Sequence, residues 1–210
     1  MEVQTWNNVK VAVQSVIATA KTITAITKAN PAVATSVAHG YTLGDIVLLN
    51  VKGMRKLDWR VVRVGAVTAD TFALEGIDST TYPDFVSGTA AEITFGTEAE
   101  TLQEPSPSGG EAEDIQIRTI HDDQDISIPG NRSAISYSFT SVWDVSDPFL
   151  LALASFDESK TPAAMMIEFS SGMKMYMAAV PSVPMTPAGS TVVTTPVKVS
   201  LRGKPTYYAS

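Results

Sequence analysis

DVSDPFLLALASFDES, residues 144–159, is the stretch of this chain most plainly written in helix code, and its reading decides what must surround it. Asp147 can accept hydrogen bonds from the free amides of a first turn, and Pro148 suits the first helical position. Phe149, Leu150, Leu151, Leu153 and Ala154 then form a broad apolar side, after which Asp157 and Glu158 leave the core for water. A helix this short is marginal alone, so its leucines must lie against something flat and apolar. The flanks supply that surface. Upstream, Ile135, Tyr137 and Phe139 alternate with Ser136, Ser138 and Thr140; downstream, Met173, Met175 and Met177 alternate with Lys174, Tyr176 and Ala178. One helix covering a face of a β-sandwich is the predicted core, and the fold class is mainly β.

The chain has 210 residues, enough for one large domain or two small ones and for a sizeable core. With 44% hydrophobic and 18% charged residues it reads as globular. No run approaches the roughly 18 consecutive apolar residues of a membrane helix, and the opening MEVQTWNNVK lacks the basic-then-apolar pattern of a secretory signal. Absence of cysteine excludes disulfides, thiolate metal sites and cysteine catalysis, and fits synthesis in a reducing cytoplasm. Net charge is −7, unevenly spread. Residues 89–130 hold ten acids (Glu92, Glu98, Glu100, Glu104, Glu111, Glu113, Asp114, Asp122, Asp123 and Asp125) against one base, Arg118, while the rest nearly balances. The basic footprint needed to grip nucleic acid is missing, and the acidic segment repels phosphate.

Along the chain, residues 3–21 carry both the alternation of Val9, Val11 and Val13 and a helical spacing in VAVQSVIATAK; a short helical or irregular lead-in is expected. From Ile23 onward short strands follow one another: ITAITKA, AVATSVA, DIVLLNV, WRVVRVGAV and TFALEGI, divided by Asn30-Pro31, His39-Gly40, Gly44-Asp45, Lys52-Gly53 and Ala69-Asp70. That spacing describes a small β-barrel or sandwich module over residues 23–88, inserted in a larger β-sandwich made of residues 1–22 and 89–210. In the long excursion of residues 98–125, the Pro-Ser-Gly-rich centre at 104–110 reads as an irregular tip. Strict alternation before it would put Ile93 and Phe95 on one face and Glu92, Thr94, Glu98 and Glu100 on the other. HDDQD at 121–125 interrupts, and Ile126 and Ile128 restart the alternation.

Constellations that carry chemistry are missing. His39, in the turn sequence AHGYTLGD, reads as structural. His121 to Asp125 offers oxygen ligands without the Gly and terminal Glu of a calcium loop, so a solvated acidic turn is expected. There is no P-loop or GxGxxG, and Asn131-Arg132-Ser133 is a chance sequon. The chain is expected to be no enzyme, with no catalytic residues, metal or cofactor.

Several motifs in their order carry a resemblance: Trp6-Asn7-Asn8-Val9, Ile120-His121-Asp122 followed by Ile128-Pro129-Gly130, AISYSFTSVWDVSDPFLLAL, and a close of VTTPVKVSLRGKPTYYAS. Together they resemble the major tail tube proteins of long-tailed (siphovirus-like) bacteriophages, over the lead-in and residues 111–210. Residues 23–88 look like a small β-module recurrent in phage virion proteins. The resemblance implies a tail-tube-like β-sandwich flanked by one helix, assembled as hexameric rings stacked into the tube through which the genome is ejected. It implies a virion protein made in the host cytoplasm, with no membrane anchor. Its partners would be further copies of itself, a tape-measure protein, tail terminator or tip proteins, and double-stranded DNA in transit without specific binding.

On that reading Glu92, Glu98 and Glu100 are candidates for the lumen wall, since carboxylates do not hold a polyanion. Glu104, Pro105, Pro107, Gly109, Gly110 and Asp114 are candidates for an arm reaching the next ring, and excising residues 23–88 is expected to leave thinner tubes. The alternative is a phage adhesion or capsid-decoration module, for which Trp59, Tyr82 and Phe85 would have to form an exposed platform. A cell-wall hydrolase is disfavoured by the missing constellation.

Overall fold

The computed structural model describes residues 6–118, 120, 121, 123–189 and 191–209. Residues 3–5 of the lead-in, Asp122 of the HDDQD turn and Ser210 of the closing motif lie outside them. In chain order the described elements are β1 (Lys10–Ile17), β2 (Lys21–Ile23), β3 (Ala25–Ile26), β4 (Ala32–Thr35), β5 (Ile46–Lys52), β6 (Arg60–Val67), β7 (Thr71–Leu74) and β8 (Ser87–Ala99). There follow β9 (Leu102–Ser108), β10 (Ala112–Ile117), β11 (Ile126–Arg132), β12 (Ser136–Val142), α1 (Pro148–Ser159), β13 (Ala163–Glu168), β14 (Lys174–Ser182), β15 (Thr194–Leu201) and β16 (Thr206–Tyr208). The mainly β class with one short helix is as the alternation predicts.

Fourteen strands join in one sheet, in the order β3-β4-β7-β6-β5-β8-β1-β13-β14-β15-β12-β9, with β16 on β14 and β2 on β8. Among the described residues β10 and β11 pair only with each other. The helical or irregular lead-in is corrected: β1 is a central strand, hydrogen-bonded antiparallel to β8 on one edge and β13 on the other. Both readings suit Val11 and Val13, but only an extended chain can use hydrogen-bonding edges offered from two sides. The irregular tip at 104–110 is corrected too. Residues 102–108 form β9, which pairs with β12 and ends the sheet. Pro105 and Pro107 are tolerated because an edge strand has one side with no ladder to feed. Glu104, with φ +52°, sits where the register slips between Ser138 and Thr140.

The sheet wraps three apolar interiors. In the first, Phe149, Leu150 and Leu153 of α1 meet Val11, Val13, Phe139, Met165, Ile167, Met175, Met177, Val197 and Val199. Asp147 caps α1 as expected, its Oδ1 accepting from the amides of Phe149 at 2.8 Å and Leu150 at 3.4 Å. Leu151 instead stays 49% exposed. Asp157 does not leave for water: its Oδ2 accepts from the Val183 amide at 2.8 Å and its Oδ1 from Lys160 Nζ at 2.6 Å. The second interior lies within residues 23–90 and holds Ile23, Leu49, Met54, Leu57, Val62, Val64, Phe72, Leu74 and Ile77. Buried His39 belongs beside it, stacked on Tyr41 with its Nδ1 accepting from the Tyr41 amide, which is the structural role its turn predicts.

The third interior joins the other two from the opposite face of the sheet. Leu48 of β5 and Val61 of β6 lie with Ile93, Ala164, Tyr176, Ala178 and Tyr208. β14 therefore buries both faces, Met175 and Met177 on one and Tyr176 and Ala178 on the other. Polar contacts reinforce this junction. Thr206 Oγ1 donates to the Val61 carbonyl, while the Tyr208 hydroxyl accepts from the Arg63 amide at 2.9 Å and donates to the Glu75 carbonyl at 3.1 Å. Arg63 forks onto Glu75, both nitrogens at 2.6 Å, and lies over the Tyr208 ring. The pair holds Glu75 below the usual carboxylate range through that hydrogen bonding, and burial raises the Tyr208 phenol.

Candidate functional site

The acidic strand β8 divides in two where strict alternation predicts one face. Glu92 pairs with Val47, whose side chain lies in the second interior, so it shares that side of the sheet. Glu98 pairs with Ala12, which pairs in turn with Met166 on the side of the third interior. The switch happens at Gly96, where the register with β1 slips on either side of Gln14 and a Cβ on Gly96 would meet Ser15 Oγ at 2.7 Å. A bulge of this kind adds a residue to one strand and turns all later side chains over. Half-buried Glu92 borders Tyr41, whose phenol is pushed up to about 12 by burial first, then by Glu92 and Asp45.

Glu98 and Glu100 gather elsewhere, in a hollow of about 700 Å³ beside the start of α1 that Asp144 and Asp147 also line. Neither glutamate forms an ion pair among the described residues. Asp144 accepts from the Ser146 hydroxyl and amide, which hold it below the usual carboxylate range. With Asp147 spent on the helix cap, Glu98, Glu100 and Asp144 leave an exposed carboxylate surface.

The residues expected to form an arm fall into two unlike parts. Glu104, Pro105 and Pro107 belong to β9 on the body. Gly109 and Gly110, with φ +84° and +87°, turn the chain away, and a Cβ on Gly109 would strike the Ala134 carbonyl at 2.0 Å. Asp114 lies beyond them in the β10–β11 ribbon, where β10 is exposed throughout and only Gly130 of β11 is half-buried. Ile115 pairs with Ile128 and Ile117 with Ile126, so all four isoleucines share one face, at 53%, 46%, 40% and 50% exposure respectively. Sequence reasoning passed over this face, although IQI and ISI on either side of a polar turn were its signal. Arg118 and Asp125 close the ribbon's far end with two hydrogen bonds of 3.0 Å.

No group of three or more potential metal-ligating side chains gathers among the described residues. Trp59, Tyr82 and Phe85 do not make a platform either: Tyr82 and Phe85 pack on the second interior, and Trp59 packs on the third under Arg202. What remains is a body with an edge strand, a group of exposed carboxylates and an exposed ribbon. A family model described as phage tail tube protein matches residues 52–210. The chain belongs to that family. No curated protein matches it. Tail tube proteins are structural components of the virion and not enzymes, and no helix of this tail tube subunit's described residues is long and apolar enough to cross a membrane.

Proposed function

We propose that copies of this chain close into rings, hexameric as the resemblance implies, and that the rings stack into the tube of a siphovirus-like tail through which the genome is ejected. The single observation that carries the reading is the family match over residues 52–210. The open-edged sheet supports it physically. Among the described residues β9 has a neighbour only on its β12 side, and an unpaired strand edge is a template for another chain. A head-to-tail contact with the right rotation closes into a ring.

In this reading Glu98 and Glu100, with Asp144, face the lumen, where carboxylates leave DNA nothing to bind. Glu92, on the other side of the sheet, is the weaker lumen candidate. Residues 23–88 form a module inserted in a body of residues 1–22 and 89–210; the separate apolar interiors support the division, although β8 runs through both. The arm to the next ring is the β10–β11 ribbon with its Gly109-Gly110 hinge, while Glu104, Pro105 and Pro107 brace its base. Tape-measure, terminator and tip proteins are the further partners, DNA passes without specific contact, and synthesis takes place in the host cytoplasm. Negative-stain microscopy of the purified full chain tests this. Long tubes or stacked rings are expected; particles that stay single, or discrete trimers, overturn it.

A further inference from the structure

The ribbon's four isoleucines stay 40–53% exposed among the described residues, and a two-stranded hairpin is marginally stable in water by itself. Around that face the ribbon is acidic: residues 111–132 carry six carboxylates against Arg118 and Arg132. Its partner must therefore offer an apolar floor with a cationic rim.

The same chain carries such a surface. A hollow of about 460 Å³ under the turn between β15 and β16 is lined by Ala134, Ile135, Leu201, Pro205 and Tyr207. Lys204 and Arg132, the last residue of β11, line it as well. Gly203 also lines a second hollow of about 580 Å³ that holds Lys52, Arg55 and Arg202 beside Trp59, with one carboxylate, Asp58, which accepts from the Val51 amide. None of these five cations has an ion-pair partner among the described residues, and Arg202 is steadied over the Trp59 ring, 4.6 Å from its centroid. In a chain with net charge −7, Lys204 at the apolar hollow with Lys52, Arg55 and Arg202 in the adjoining one make a complement to the ribbon in both polarity and charge.

We propose that the β10–β11 ribbon of one copy docks in the hollow under the β15–β16 turn of a second copy, isoleucines to the floor and carboxylates to the Arg202–Lys204 rim. The isoleucine face and the hollow are different patches that meet at Arg132, the last residue of the ribbon, so the contact is heterologous and each copy can give and receive at once. The proposal rests on the self-assembly reading above and names the surfaces it uses.

The chain has no cysteine, so introduced thiols are unique. Copies bearing Ile117→Cys are mixed with copies bearing Tyr207→Cys under assembly conditions and treated with a short bis-maleimide. A covalent dimer in the mixture, with none from either variant alone, is expected, and a chain carrying both substitutions should give a ladder. Cross-linked dimers within a single variant, a double variant that closes on itself without a ladder, or tubes that yield no cross-link would each overturn the docking. Tubes without cross-link leave the tube reading standing, whereas full chains that never associate remove both. As a second readout, Ile117→Asp with Ile126→Asp should lower the assembled fraction at least tenfold without moving the monomer's melting temperature, because both residues are already exposed. Unchanged assembly of that variant also overturns the docking.

Discussion

Asp157 shows how one carboxylate can bind a helix end to a neighbouring strand. Its two oxygens take the Lys160 ammonium and the Val183 amide, and these hydrogen bonds, the lysine's first, hold it below the usual carboxylate range. A folded-state pKa below the unfolded one means stability that is complete above about pH 4 and is lost as pH falls through the folded value. Asp157→Asn should therefore lower the melting temperature at pH 7, and the gap from the wild-type chain should close as the acid limb is entered. Thermal melts at steps between pH 7 and pH 2.5 check this; a gap independent of pH would mean that the charge of Asp157 is immaterial. The cap at Asp147 was legible in SDPFLL because a cap acts within its own turn. Asp157 was not, because Val183 lies 26 residues away.

At the scale of the element, β9 and the β10–β11 ribbon look alike in sequence, polar and acidic with Pro and Gly between, yet stand in opposite situations. β9 is laddered to β12 with Pro107 against Tyr137 and Ser108 against Ser136, whereas the ribbon stands off the body. Replacing residues 112–132 with a short Gly-Ser link should leave the monomer's melting temperature within about 2 °C, since it removes exposed strands alone, but should abolish tubes. Deleting residues 104–110 should instead lower the melting temperature and disturb folding, because it strips the sheet of its last strand. Differential scanning calorimetry with negative-stain images separates the two. A ribbon-less chain that assembles normally would remove the arm from the account.

For the whole molecule, the third interior ties residues 23–88 to the rest of the sheet. Leu48 and Val61 cover Tyr176, Ala178 and Tyr208, so residues 23–88 are clamped to the body and not merely carried by it. Excision with a short linker would uncover these side chains, at roughly 1.5–3 kcal/mol for each large apolar group left in water. The excised chain is accordingly expected to aggregate, and the thinner tubes predicted from the sequence should form only when Ile93→Thr and Tyr176→Thr accompany the excision. Size-exclusion chromatography checks this; a soluble, assembling chain after excision alone would show that the clamp is dispensable.

What the residues determined unaided were properties that act over a few positions: the capped helix at 148–159, the strands of the 23–88 segment, and the alternating faces of β12 and β15. The tertiary structure alone decided which edges and faces meet. It made β1 a central strand because two partners waited for its amides, placed β9 at the margin where prolines cost little, and let a bulge at Gly96 send Glu92 and Glu98 to opposite sides. Side-chain period sets the kind of element, but register with a partner sets its face, and that partner is usually far away in the chain.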